Sequence, residues 1–100
     1  MNMKSKRNGT STQPVAGNAV EITAEELIVT LTDGRKIVTP LEWYPRLQQA
    51  TPAQRARWEW WGPHSAILWP EIDELLGIAE MLLGVPSAEY RPDSAHAAAI

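Results

Sequence analysis

The chain predicts an α+β domain: a small twisted antiparallel sheet of three to four strands packed with two to three short helices. Three observations carry that class. Leu27-Ile28-Val29-Thr30-Leu31-Thr32 alternates with the two-residue period of a strand. Asp33-Gly34 follows it as a hairpin turn, because the turn needs a positive φ that Gly adopts without strain. Thr51-Pro52-Ala53-Gln54 is a helix start in which Gln54 completes a capping box with Thr51.

Order is expected to begin near Val20-Glu21-Ile22, a short strand ended by Thr23-Ala24-Glu25-Glu26. In the strand that follows, Leu27, Val29 and Leu31 share one face, and Ile28, Thr30 and Thr32 the other. The hairpin admits two registers. A two-residue turn sets Val29 opposite Val38, whereas a type I turn over Thr32-Asp33 with Gly34 in a left-handed bulge sets Val29 opposite Ile37. The bulged register is preferred, since it stacks Leu31, Val29 and Leu27 against Arg35, Ile37 and Thr39.

Thr39-Pro40 has the form of an N-cap followed by a first-turn proline. Pro45 interrupts Leu41, Trp43, Tyr44 and Leu47, so two short turns are expected there rather than one helix. The capping-box helix should run to Trp60 or Trp61 and stop at Gly62-Pro63. Ser65-Ala66-Ile67-Leu68-Trp69 reads as a last strand, closed by Pro70. A final helix from Asp73 to Leu83 would face the core with Ile72, Leu75, Leu76, Ala79, Leu82 and Leu83. Gly77 inside it offers an alternative start. The organisation is an N-terminal arm over 1–17, expected to be disordered, a single domain over 18–86, and a flexible tail over 87–100.

Composition narrows the function classes. The chain has 100 residues, 44% of them apolar with five tryptophans, enough for a small core. It has no cysteine, which removes disulfides, thiolate metal sites and a cysteine nucleophile and favours a cytoplasmic setting. No apolar run has the length of a membrane helix, and the basic start Lys4, Lys6 and Arg7 is not followed by the apolar stretch of a signal peptide. A net charge of −3 is unsuited to a general nucleic-acid binder, and the basic arm reads as a solvated tail.

Several stretches, taken in order, resemble the bacterial domain-of-unknown-function family 2442: Leu31-Thr32-Asp33-Gly34-Arg35, Pro40-Leu41-Glu42-Trp43-Tyr44-Pro45-Arg46-Leu47, Ala50-Thr51-Pro52-Ala53-Gln54-Arg55, Ile67-Leu68-Trp69-Pro70-Glu71-Ile72-Asp73-Glu74 and Leu82-Leu83-Gly84-Val85-Pro86. The resemblance covers about residues 20 to 87. It implies a small α+β fold with a twisted antiparallel sheet, and association with small modules such as helix-turn-helix domains and toxin-like partners. It implies no reaction and no cofactor. The chain departs from the family pattern at Leu68, where a His is usual, and at Asp73-Glu74-Leu75-Leu76-Gly77, where Asp-Glu-Asp-Leu-Ser is common.

Two clusters are candidate sites. Glu71, Asp73 and Glu74 form an acidic corner after Trp69-Pro70, a carboxylate set of the kind that binds a divalent metal or shuttles protons. The plainer account is a helix start, with Asp73 as cap and the glutamates near the positive end of the helix. Trp58, Trp60 and Trp61 are the second cluster, with Trp58 and Trp61 on one helix face and Trp60 beside Ala53 and Ala56 on another. Together with Trp43 and Tyr44 they are the candidate partner-binding residues. The plainer account is that they pack the core.

Arg35, Arg46, Arg55 and Arg57 read as solvated charge rather than a phosphate patch. His64 and His96 lack ligand-spaced neighbours, so no metal site is assigned. The sequence points first to a non-enzymatic binding or regulatory module, antitoxin-like or accessory, with a small protein partner or a second copy of itself. The competing reading is a metal-dependent or carboxylate-based enzyme at the acidic corner.

Overall fold

The computed structural model describes residues 15–92. Most of the expected N-terminal arm, with Lys4, Lys6 and Arg7, and the last residues of the expected tail, with His96, lie outside the described residues. The fold is α+β as expected, but its strands divide between two three-stranded antiparallel sheets.

The first sheet is β1 (Gly17–Ile22), β2 (Glu26–Leu31) and β3 (Lys36–Pro40), in chain order. Val29 pairs with Ile37, the bulged register, and Gly34 takes φ +92°. The Asp33 carboxylate accepts from the Arg35 amide at 3.1 Å and from its guanidinium at 2.8 Å. β1 starts at Gly17, earlier than Val20, because the chain before it is already paired: Thr32 N–H donates to the Ala16 carbonyl at 2.9 Å.

Thr39 and Pro40 do not begin a helix. Both finish β3, where the Thr39 side chain is buried and its hydroxyl donates to the Leu27 carbonyl at 3.4 Å. A cap residue must direct its oxygen at the next turn, and this one is held across the hairpin instead. A 3-10 turn (Leu41–Trp43) and α1 (Pro45–Gln48) follow, the two short turns expected around Pro45.

In α2 (Pro52–Ala56) both hydrogen bonds of the Thr51–Gln54 capping box are present. The helix ends at Ala56, not at Trp60 or Trp61. Residues Glu59–Trp61 form β4, which pairs with β5 (Ala66–Trp69) through a tight loop holding Gly62 at φ +65° and His64 at φ +59°. Aromatic residues prefer a pleated surface, and here that preference overrides continuation of the helix.

β5 is not the last strand. A 3-10 turn (Pro70–Ile72) leads to Asp73 in the left-handed region, φ +56°, which reverses the chain into β6 (Glu74–Gly77). The order of the second sheet is β4-β5-β6. The final helix is therefore only α3 (Ile78–Leu82), with Gly77 at its N-cap position. Asp73 ends the 3-10 turn as its C-cap instead of starting a helix, and the expected stripe is replaced: Ile78 and Met81 are buried, while Leu75, Leu82 and Leu83 are exposed.

The core lies between the sheets. Leu27, Val29 and Leu31 from the first meet Ile67, Trp69 and Leu76 from the second, closed by Leu41, Tyr44, Leu47, Ile78 and Met81. The Trp69 indole N–H donates to the Arg55 carbonyl at 3.0 Å, satisfying its polar atom. Arg55 in turn donates to the Leu47 and Gln48 carbonyls at 3.0 and 2.6 Å, covering the end of α1. Thr51→Ala removes the capping box and should lower unfolding free energy by about 1 kcal/mol, whereas Thr51→Ser should retain most of it; urea denaturation measures both.

Candidate functional site

Alternation along β4 sorts the tryptophans. Trp60 points inward: its ring meets Trp58 edge-on at 5.1 Å and stacks on the His64 imidazole at 4.7 Å. A Cβ on Gly17 would overlap the Trp60 indole, so the first strand approaches this cluster only as glycine. His64 completes the joint, with its carbonyl accepting from the Gly17 amide at 2.8 Å and its Nδ1 lying 3.1 Å from the Gly17 carbonyl.

Trp61 points the other way and is 54% exposed. The register brings Glu59, Trp61, Ala66, Leu68, Leu75 and Gly77 to the outer face of the second sheet. This face borders a groove of about 430 Å³ whose lining includes Trp61, Leu75, Leu76 and Met81 together with Val85 to Ser87. Glu80 is the charged residue in its lining. A separate depression of about 390 Å³ runs between β1 and α2, with Trp58 and Arg55 in its wall.

The remaining members of the aromatic set are less accessible. Tyr44 is buried, and its hydroxyl makes no hydrogen bond among the described residues, although Thr39 lies beside it. Burial pushes that hydroxyl's pKa up. Trp43 is half-buried: its ring lies 6.3 Å from Tyr90 and its carbonyl accepts from the Ser87 amide at 3.1 Å. The first residues of the expected tail thus fold back on the domain.

The acidic corner does not converge. Glu71 is paired with Arg57, and the exposed Asp73 carboxylate lies 3.5 Å from Arg46. Glu74 begins β6 opposite Trp69 and is buried, 7% exposed. Among the described residues no group of three or more His, Asp or Glu side chains is placed to hold a metal ion. Among the described residues the arginines form no patch either, since Arg35, Arg46 and Arg57 each face a carboxylate.

Two features were outside the reach of sequence reasoning. One is the Gly17–Trp60–His64 joint, which spans 47 positions between Gly17 and His64. The other is the exposed row on β6, concealed because Glu74-Leu75-Leu76-Gly77 fits a helix pattern equally well. Among the described residues no helix is long and apolar enough to cross a membrane.

These observations define a two-sheet α+β domain with an apolar outer face beside a groove. The chain belongs to the DUF2442 family, whose description is protein of unknown function and which matches residues 18–87. Its fold is similar to the crystal structure of a protein of unknown function from Rhodospirillum rubrum ATCC 11170, with a TM-score of 0.65 and 18% identity over 77% of this chain and 95% of that one. No curated protein matches the chain.

The two neighbouring tryptophans should separate cleanly on mutation. Trp60→Ala should cost about 2–3 kcal/mol because it empties the joint between the sheets, while Trp61→Ala should stay within about 0.5 kcal/mol; denaturant titration of both variants checks this. For Glu74, burial raises the carboxyl pKa above 4.5, with Arg46 opposing. A raised carboxyl pKa gives stability that is full below the unfolded value and is lost as pH rises through the folded one. Glu74→Gln should therefore melt higher than the parent chain at pH 7.5, and the difference should shrink towards pH 4 in thermal scans.

Proposed function

We propose that this domain is a non-enzymatic protein-binding module, of the antitoxin-like or accessory kind, and that its contact surface is the outer face of the second sheet around Trp61. The observation that carries the reading is the exposed Trp61 indole standing with Leu75 and Val85, also exposed, at the edge of the groove. A large aromatic that contributes nothing to its own core, set in an apolar surround, is the usual form of an interface anchor. The scattered carboxylates support the same reading, because paired acid–base chemistry requires groups that face one reacting atom.

The partner is a small protein, and Trp61 rather than Trp60 is the residue to change. Affinity capture of the tagged full chain from its native host should recover one partner in stoichiometric amount, identified by mass spectrometry. Trp61→Ala should lose that partner with unfolding unchanged. Equal recovery by Trp61→Ala and the parent chain would remove this face as the interface.

A further inference from the structure

The groove beside Trp61 has a backbone wall as well as a side-chain one. The Ile78 amide donates to the Ser65 carbonyl at 2.9 Å, in the same register that pairs Ile67 with Leu76 and Trp69 with Glu74. Hydrogen-bonded pairs alternate in an antiparallel ladder, so Ile67–Leu76 and Trp69–Glu74 exchange bonds and the residues between them do not. Leu75 therefore turns its N–H and C=O away from β5, and Gly77 turns its N–H the same way. Both residues line the groove, and neither has another backbone or side-chain hydrogen bond across that edge among the described residues. The preceding outward group, the Asp73 carbonyl, is already taken by the Arg46 guanidinium at 2.8 Å, which closes that end.

We propose that the free edge of β6 is a strand-addition site for an extended partner segment of alternating apolar residues carrying a lysine or arginine. This rests on the protein-binding reading and names the occupant's chemistry. Only an extended chain presents donors and acceptors at the spacing that Leu75 and Gly77 require. Its alternate side chains would meet Leu75 on one face, and Leu76 and Met81 on the other.

Charge complementarity selects the basic residue. Glu80 is the charged group in the lining, its carboxylate sits over Gly77, and it has no salt-bridge partner among the described residues. A second folded copy fits less well. Tyr44 and the segment Val85 to Ser87 line the same groove as β6, so a second sheet edge would have to share it with them. A second copy would also bring another Glu80 to a chain that already carries net charge −3.

Random dodecapeptides displayed on phage, selected against the immobilised full chain, test the proposal. Enriched sequences should alternate apolar residues and carry Lys or Arg. As synthetic peptides they should slow hydrogen exchange at the Leu75 and Gly77 amides. Gly77→Ala pushes the Glu80 carboxylate off Gly77 but keeps the N–H, and is the control; Gly77→Pro also removes the outward donor, at a residue whose φ of −81° and ψ of 138° proline accepts. That change should weaken binding about ten-fold with thermal unfolding unchanged, and Leu75→Pro provides a second such variant if the first unfolds. Glu80→Gln should weaken binding several-fold and flatten its salt dependence.

Peptides that bind Gly77→Pro and Leu75→Pro as well as the parent, yet are lost with Trp61→Ala, would overturn strand addition while leaving the protein-binding reading intact. Absence of enrichment would also overturn it, with the capture experiment deciding the broader reading separately. Leu75 and Gly77 amides already protected in the free chain would show the edge to be occupied and would overturn the partner segment.

Discussion

The two sheets share no strand, so the domain depends on the contact that seats one against the other at Gly17. The first strand approaches the β4–β5 loop so closely that its amide and carbonyl both engage His64, and the Trp60 indole fills the space a side chain would take. Hydrogen bonds across such a joint have direction and spacing, whereas the core beneath it would tolerate some sliding. The positive φ of His64 follows from the same demand, since the loop must turn its carbonyl toward a strand far away in sequence. With this joint in place, Leu27 and Val29 face Ile67 and Trp69, and Trp61 and Leu75 on the opposite side of the second sheet are exposed among the described residues.

That division of faces gives neighbouring tryptophans different duties. Trp60 and Trp61 are adjacent, and a strand sends adjacent side chains to opposite sides. On a helix, Trp58 and Trp61 would have shared a face, and the interface would have been placed on the wrong residues. The short β4 is thus the element on which the functional reading turns.

Legibility in the sequence followed the range of the interactions. The bulged turn at Asp33-Gly34, the Val29–Ile37 register and the Thr51–Gln54 box are local, each set by residues a few positions apart, and each was readable. The α+β class was readable for the same reason. The second sheet was only half readable, because β4 and β6 are three and four residues long, too short for a period to declare itself. Asp73 also hid the reversal: an acidic residue before Leu-Leu suggests a helix cap, and only its left-handed backbone shows that the chain turns back. The aromatic cluster was legible as unusual, but its sorting into joint and outer face was not, since that depends on the partner strand.

The grip of Arg46 bears on where the folded unit ends. Its guanidinium binds the Glu89 carboxylate at 2.9 Å and the Asp73 carbonyl at 2.8 Å, while Tyr90 lies against Trp43. The family match stops at residue 87, but these contacts reach beyond it. A boundary drawn by likeness would cut off Glu89 and Tyr90, which contact Arg46 of α1 and Trp43 of the 3-10 turn. Arg46 and Trp43 therefore carry packed chain past the family match as far as Tyr90.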